Sequence, residues 1–180
     1  MRYFVALNLP QEIKNPLYDL QRKTKTKEAK IHWVAKKNLH ITLKFFGELK
    51  EDTLIQIKTR LKEITLKKIQ VTLTKTEFFP NIENPAVIWI GLTPEEKIIK
   101  LAQKIDEETL DLVASEQRFT AHITLGRIKK ISSKKNILST LKAMNIEKIS
   151  FTLDSFTLYK STLTSQGPNY EEIETYSLSP

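Results

Sequence analysis

Two copies of one tetrapeptide, His40-Ile41-Thr42-Leu43 and His122-Ile123-Thr124-Leu125, hold the side chains in this sequence best suited to chemistry. On an extended strand successive side chains alternate between faces, so each copy offers an imidazole and a hydroxyl side by side, anchored from behind by two aliphatic groups. Two such pairs facing each other across a groove suit in-line displacement at phosphorus. One imidazole takes a proton from the entering water or hydroxyl while the other protonates the departing alkoxide. Histidine fits both tasks because its ordinary pKa of about 6.5 keeps both protonation states accessible near neutrality. The threonine hydroxyls can donate to the non-bridging phosphate oxygens. A single His-x-Thr would carry little weight, but the chain has only three histidines and two of them fall in this repeated motif. With no HExxH, no cysteine and no acid inside either motif, the residues do not converge as metal ligands, and a metal-free reaction is expected.

An internal repeat must position these strands. Leu7-Asn8-Leu9-Pro10-Gln11-Glu12 resembles Gly91-Leu92-Thr93-Pro94-Glu95-Glu96, each following an apolar strand-like run and opening a polar helical stretch at a proline. His40 follows Pro10 by 30 residues and His122 follows Pro94 by 28. Downstream of each motif the pattern predicts a helix, over Glu51 to about Lys67 and Ser132 to about Met144. A long alternating strand then follows, at about Ile69–Phe79 and Ile149–Lys160. Gly167-Pro168 reads as a turn before a final strand, about Tyr170–Leu178. The expected architecture is α+β: a duplicated strand-helix-strand-helix-strand unit, residues 1–84 and 85–180, forming two pseudo-symmetric lobes of mainly antiparallel sheet around a central cleft.

Composition narrows the function classes. The 180 residues include no cysteine, which excludes a disulfide framework, a Cys-ligated zinc site, an iron–sulfur cluster and a thiol nucleophile. The longest uncharged run, Asn84 to Pro94, is too short to span a bilayer, and Met1–Pro10 lacks the features of a secretory signal, so a cytoplasmic protein acting away from membranes is expected. Of the net charge of +8, the window 21–50 carries nine Lys/Arg against two acids, a concentrated field suited to a polyanion. The four glycines form neither GxGxxG nor a phosphate-binding loop, so no nucleotide cofactor is expected.

Ile31-His32-Trp33-Val34, Asn38 through Glu48, and Thr120 through Arg127 together resemble the two HxTx signatures of the 2H phosphoesterase superfamily, more closely the RNA 2′,3′-cyclic phosphodiesterases formerly called 2′–5′ RNA ligases. Phe4–Pro10 and Ser161–Tyr170 also resemble segments of that family, so the likeness spans nearly the whole chain. The resemblance implies a bilobal α+β fold with both motifs lining a central cleft, and a metal-independent opening of a terminal 2′,3′-cyclic phosphate to a 2′-phosphate. It further implies that His40 is the proton donor to the leaving 3′ oxygen, that His122 is the proton acceptor activating water, and that Thr42 and Thr124 hold the phosphate. Reverse ligation through a 2′–5′ bond would use the same groups in exchanged roles. Arg127 matches the family arginine just beyond the second motif, where its guanidinium can fork onto phosphate oxygens. Strict alternation puts Arg127 on the face opposite His122; either a bulge at Gly126 turns it back, or Arg127 lies at the cleft edge.

Alternation also puts Phe46 on the His40 face, where its ring could stack on the terminal base, and Phe45 in the core. His32 has no counterpart in the second half and is given no chemical role. The partner expected is an RNA bearing a 2′,3′-cyclic phosphate end, and the chain is expected to act as a monomer. Two alternatives stay open: a phosphodiesterase for a small cyclic phosphate such as ADP-ribose cyclic phosphate, and a non-catalytic RNA-binding module. Intact histidine and threonine in both motifs argue against the second, since a binder needs no matched acid and base.

Overall fold

The first apolar run, Phe4 to Leu7, is buried on both faces and forms the middle of strand β1 (Arg2–Asn8). Its continuous hydrophobicity, unlike the alternation of a half-exposed strand, is what a strand covered from both sides requires. In the computed structural model, which describes residues 1–24, 26–115, 119–165 and 167–180, the chain continues as α1 (Gln11–Lys23), β2 (Ala29–Trp33), β3 (His40–Glu48), α2 (Glu51–Lys62) and β4 (Ile69–Phe79). Lys25 of the basic window lies outside the described residues. The second half gives β5 (Val87–Thr93), α3 (Glu96–Thr109), β6 (His122–Ile131), α4 (Lys134–Lys142), β7 (Ser150–Leu153), β8 (Ser155–Thr164) and β9 (Gly167–Ser177).

These strands make two antiparallel sheets, ordered β3-β1-β8-β9 and β2-β6-β5-β4-β7. The repeat is visible in them, because β3-β1-β8 matches β6-β5-β4. Each sheet nevertheless draws on both halves: β4 crosses to pair with β5, and β8 crosses to pair with β1. The stretch expected as one strand over Ile149–Lys160 breaks at Asp154, with β7 staying beside β4 and β8 passing to the other sheet. Strand β2 joins the edge of the larger sheet beside β6, carrying His32 and Trp33 to the second motif.

The helices bury their apolar faces. Ile13, Leu17 and Leu20 of α1 and Ile98, Leu101 and Ile105 of α3 point into one continuous core with Val5, Leu7, Ile41 and Ile123 from the strands. Truncating a fully enclosed member such as Leu17 to alanine costs about 2–5 kcal/mol. That packing holds the sheets from behind and leaves their other faces to form the cleft. No helix among the described residues is long and apolar enough to cross a membrane.

Candidate active site

Register decides which side chains reach the cleft. On β3, Asn8, Ala6 and Phe4 stand opposite His40, Thr42 and Phe45, so these three β3 side chains share one face. On β6, Gly91, Trp89 and Val87 stand opposite His122, Thr124 and Arg127. Both strands therefore slip by one residue at the last position of the motif. The extra residue is Leu43 in β3 and Leu125 in β6, and with the residue that follows it, Lys44 or Gly126, it is buried on the core side. The bulge on β6 turns Arg127 back to the histidine face. The bulge on β3 does the same for Phe45, which is 49% exposed, and drives Phe46 into the core at 5%. The expectation that Phe46 lies beside the base is corrected: alternation cannot be carried through a bulge, and Phe45 occupies the position that Arg127 holds in the other half.

The bulges are held from behind by different groups. Gln21 of α1 is buried and donates from Nε2 to the Leu125 carbonyl at 2.8 Å and the Val34 carbonyl at 2.9 Å, while the Val34 amide also donates to Leu125 O at 2.8 Å. Lys44, only 3% exposed, runs into the interior and donates to Asp106 Oδ1 at 2.7 Å, Thr109 Oγ1 at 3.0 Å and the Val113 carbonyl at 3.1 Å. Burial opposes ionisation of Asp106, but the bonds from Lys44 and Ser115 outweigh it and hold its carboxyl below the ordinary range. At the matching position Gly126 faces the Trp33 ring, where an added Cβ would stand 2.8 Å from Cε3.

Both histidines are tethered alike. His40 Nδ1 lies 2.6 Å from the Asn38 carbonyl and His122 Nδ1 lies 2.7 Å from the Thr120 carbonyl. A carbonyl can only accept, so each Nδ1 carries the hydrogen and each Nε2 is the nitrogen left for proton transfer. His40 Nε2 is 2.8 Å from Thr42 Oγ1, so the hydroxyl donates to it when the ring is neutral. The surroundings differ. His40 packs against Phe4 and Tyr170, and burial, reinforced by the charges of Lys14 and His122 and opposed by the Asn38 bond, pushes its pKa down to about 4. His122 lies in a more open site, edge-on to the stacked Phe79 and Trp89 rings; burial and the charge of Arg127 lower its pKa, against the Thr120 bond.

Sequence reasoning missed Lys14, Asn38 and Tyr170. Lys14 is 7% exposed and donates to Asn8 Oδ1 at 2.8 Å and the Lys37 carbonyl at 3.3 Å, bracing the turn (Lys36–Asn38) that holds His40. Asn38 Nδ2 donates to Pro168 O at 2.9 Å and Lys37 Nζ to Asn169 Oδ1 at 3.3 Å, drawing the β8–β9 tip over the cleft and Tyr170 onto His40. A buried lysine in a helix that reads as an ordinary amphipathic one gives no local signal in the sequence. The cleft, of about 790 Å³, is lined by His40 and Thr124 together with His32, Lys37, Arg127, Lys129 and Tyr170. It takes one residue from each motif, His40 and Thr124, beside Arg127, while His122 and Thr42 stand next to these on the same strand faces without lining it. No acidic side chain lies in its wall among the described residues, a setting for a phosphate whose non-bridging oxygens need donors.

Comparisons with known proteins give the chain's family and fold relatives. The family described as LigT like Phosphoesterase matches the chain twice, over residues 7–89 and 90–170, once for each half of the repeat. An RNA 2′,3′-cyclic phosphodiesterase of Methanocaldococcus jannaschii is 35% identical over 97% of this chain and 99% of its own length, and one of Archaeoglobus fulgidus is 29% identical over 98% and 99%. Among solved structures, a Thermus thermophilus protein superposes with a TM-score of 0.84 at 25% identity, covering 99% of this chain and 98% of that one. Escherichia coli LigT complexed with phosphate superposes at 0.76 with 26% identity, covering 99% and 98%.

Proposed function

This chain belongs to the LigT like phosphoesterase family, and from that premise we propose that it is a hydrolase that opens the 2′,3′-cyclic phosphate at an RNA end to a 2′-phosphate and a free 3′ hydroxyl. The observation that carries the mechanism is the matched pair of imidazoles, each with Nδ1–H given to a main-chain carbonyl and Nε2 left to exchange a proton. Water attacks phosphorus in line with the 3′ oxygen. His122 Nε2 accepts a proton from that water as the new P–O bond forms, and His40 Nε2 delivers a proton to the 3′ oxygen as its bond to phosphorus breaks. The pair ends with its protonation states exchanged and resets through solvent. Thr42 and Thr124 donate to the non-bridging oxygens, and Arg127 adds a charge-assisted pair of bonds.

Burial gives the donor a condition. A group held near pKa 4 carries its proton in about one molecule in a thousand at pH 7, a deficit of about 4 kcal/mol. The negative phosphate bound beside His40 supplies the compensating charge, so the acid is loaded when substrate arrives. The free enzyme keeps His40 neutral, and Thr42 satisfies its Nε2 in the meantime.

The test is incubation of the EDTA-treated protein with a short RNA ending in a 2′,3′-cyclic phosphate, with the product phosphate located by its resistance to 3′-phosphatase. A 2′-phosphate is expected. A 3′-phosphate product, or activity abolished by EDTA and restored by a divalent metal, would overturn the assignment.

A further inference from the structure

The pairing of β2 with β6 gathers basic side chains, of which only Arg127 serves the proposed reaction at the terminal phosphate. His32 stands opposite Arg127, and two positions further Lys30 stands opposite Lys130, so all four side chains lie on the cleft side of the sheet; Lys129 occupies the slip between them and lines the cleft. Like charges directly across an antiparallel pair destabilise it. Among the described residues none of Lys30, Arg127, Lys129 and Lys130 forms an ion pair, and β6 carries no acid from His122 to Ile131. Lysine on an exposed edge is a common guard against edge-to-edge aggregation, and that reason covers Lys30 on the edge strand β2. It does not cover Lys130, which belongs to the inner strand β6. Unbalanced charge that the fold tolerates at a cost, beside a cleft large enough for more than one phosphate, is what a polyanion would neutralise.

The geometry points to the β2–β6 edge as a track for the RNA strand leading away from the terminal phosphate, with Lys30 and Lys130 contacting backbone phosphates upstream of the end being opened. This inference rests on the RNA-end reading of the cleft and deepens it. The strand enters between the β8–β9 tip and β2, passes Arg127 and Lys129, and leaves over the paired lysines. The contacts are to backbone charge, so the track adds affinity for length without reading sequence.

The test compares a nucleoside 2′,3′-cyclic phosphate with an oligonucleotide of about ten nucleotides carrying the same end, using wild type, the Lys30→Gln/Lys130→Gln pair and the Lys30→Glu/Lys130→Glu pair. The neutral pair is expected to leave kcat/KM on the mononucleotide within about twofold while lowering it about tenfold on the oligonucleotide, with the acidic pair lower still. The slope of log kcat/KM for the oligonucleotide against log salt should flatten by about 1.4, two single-strand contacts at about 0.7 each. An equal loss on both substrates, or no loss on either, overturns the track. Failure of the RNA-end reading shows separately, as wild type that turns over neither substrate; anisotropy with the same oligonucleotide then still reads the track, which is overturned if wild type and the neutral pair bind alike.

Discussion

Strands β3 and β6 begin with the same four residues, tether their histidines to the carbonyl two residues upstream, and slip register at the same place. Beyond the slip they diverge. β3 continues Lys44-Phe45 and β6 continues Gly126-Arg127, so one strand sends a lysine into the interior and a phenyl ring to the His40 face, while the other leaves a gap for Trp33 and sends a guanidinium to the cleft. Duplication supplied two equivalent imidazoles, and the residues around them made the two inequivalent: His40 enclosed by Phe4, Tyr170 and Lys14, His122 more open beside Arg127. In the free protein this difference runs against the proposed roles, since the donor His40 is the more enclosed imidazole, and the charge of a bound phosphate is what would reverse it.

Breaking the pair is the largest expected effect. His40→Ala and His122→Ala should each lower kcat/KM about a thousandfold or more with little change in melting temperature. An RNA end whose bridging 3′ oxygen is replaced by sulfur sharpens the comparison, because a thiolate leaves without a proton. On that substrate His40→Ala should regain most of its loss and His122→Ala should not. The reverse pattern would exchange the two roles.

The two bulges should fail differently. Asp106→Ala strands the buried Lys44 ammonium and should cost about 3 kcal/mol of stability in urea unfolding, with activity lost only as protein unfolds. Gln21→Leu removes two hydrogen bonds from carbonyls at the other bulge, at about 1–3 kcal/mol. It should also lower kcat/KM in the still-folded protein, because Arg127 depends on that bulge. If both variants lose activity in proportion to stability alone, the second bulge does not position Arg127.

A pH series separates the histidines. The folded-state pKa of His40 lies below its ordinary value, so the unfolded chain accepts a proton that the folded protein resists. Stability from this source is whole above about pH 6.5 and falls as pH drops toward 4, by about 3 kcal/mol across the window. Urea midpoints at both ends of the window should converge in His40→Asn, and less so in His122→Asn, whose shift has the same sign. Asp106 loses its contribution in the same direction but lower, as pH falls below its ordinary 3.8. Wild type with a pH-independent midpoint over the upper window would remove the neutral, buried His40 from the mechanism.

The repeat, the α+β class and the limits of β4 at Ile69 and Phe79 were legible in the sequence because each rests on a local pattern. Even a bulge beside Gly126 was readable as a need, since the alternation contradicted the role that the resemblance implied for Arg127, and the extra residue proves to be Leu125. The same slip in β3 raised no contradiction, because Phe45 and Phe46 are equally plausible on either face until register is known. Lys14, Gln21 and Lys44 act through partners that only the assembled fold brings near, Gln21 reaching Leu125 across 104 positions and Lys44 reaching Asp106 across 62. The exchange of β4 and β8 between sheets depends on pairing that no single segment encodes.

The smallest expected effect falls on Phe45, and it tests the comparison where the halves differ most plainly. If the shared slip gives Phe45 and Arg127 equivalent positions, each should contact a different part of one substrate, the ring a base face and the guanidinium the phosphate. Phe45 packs on Phe4 with its other side open to solvent, so removing it leaves the core intact and folding stability nearly unchanged. Phe45→Ala should raise KM for a nucleoside 2′,3′-cyclic phosphate about tenfold, within the range of one base–aromatic stack, and leave kcat close to wild type. Phe46→Leu, a conservative change in the core, should move neither constant. A KM that responds to Phe46 and not to Phe45 would mean that the ring meeting the base is the one alternation selects, and that the slip in β3 does not survive substrate binding.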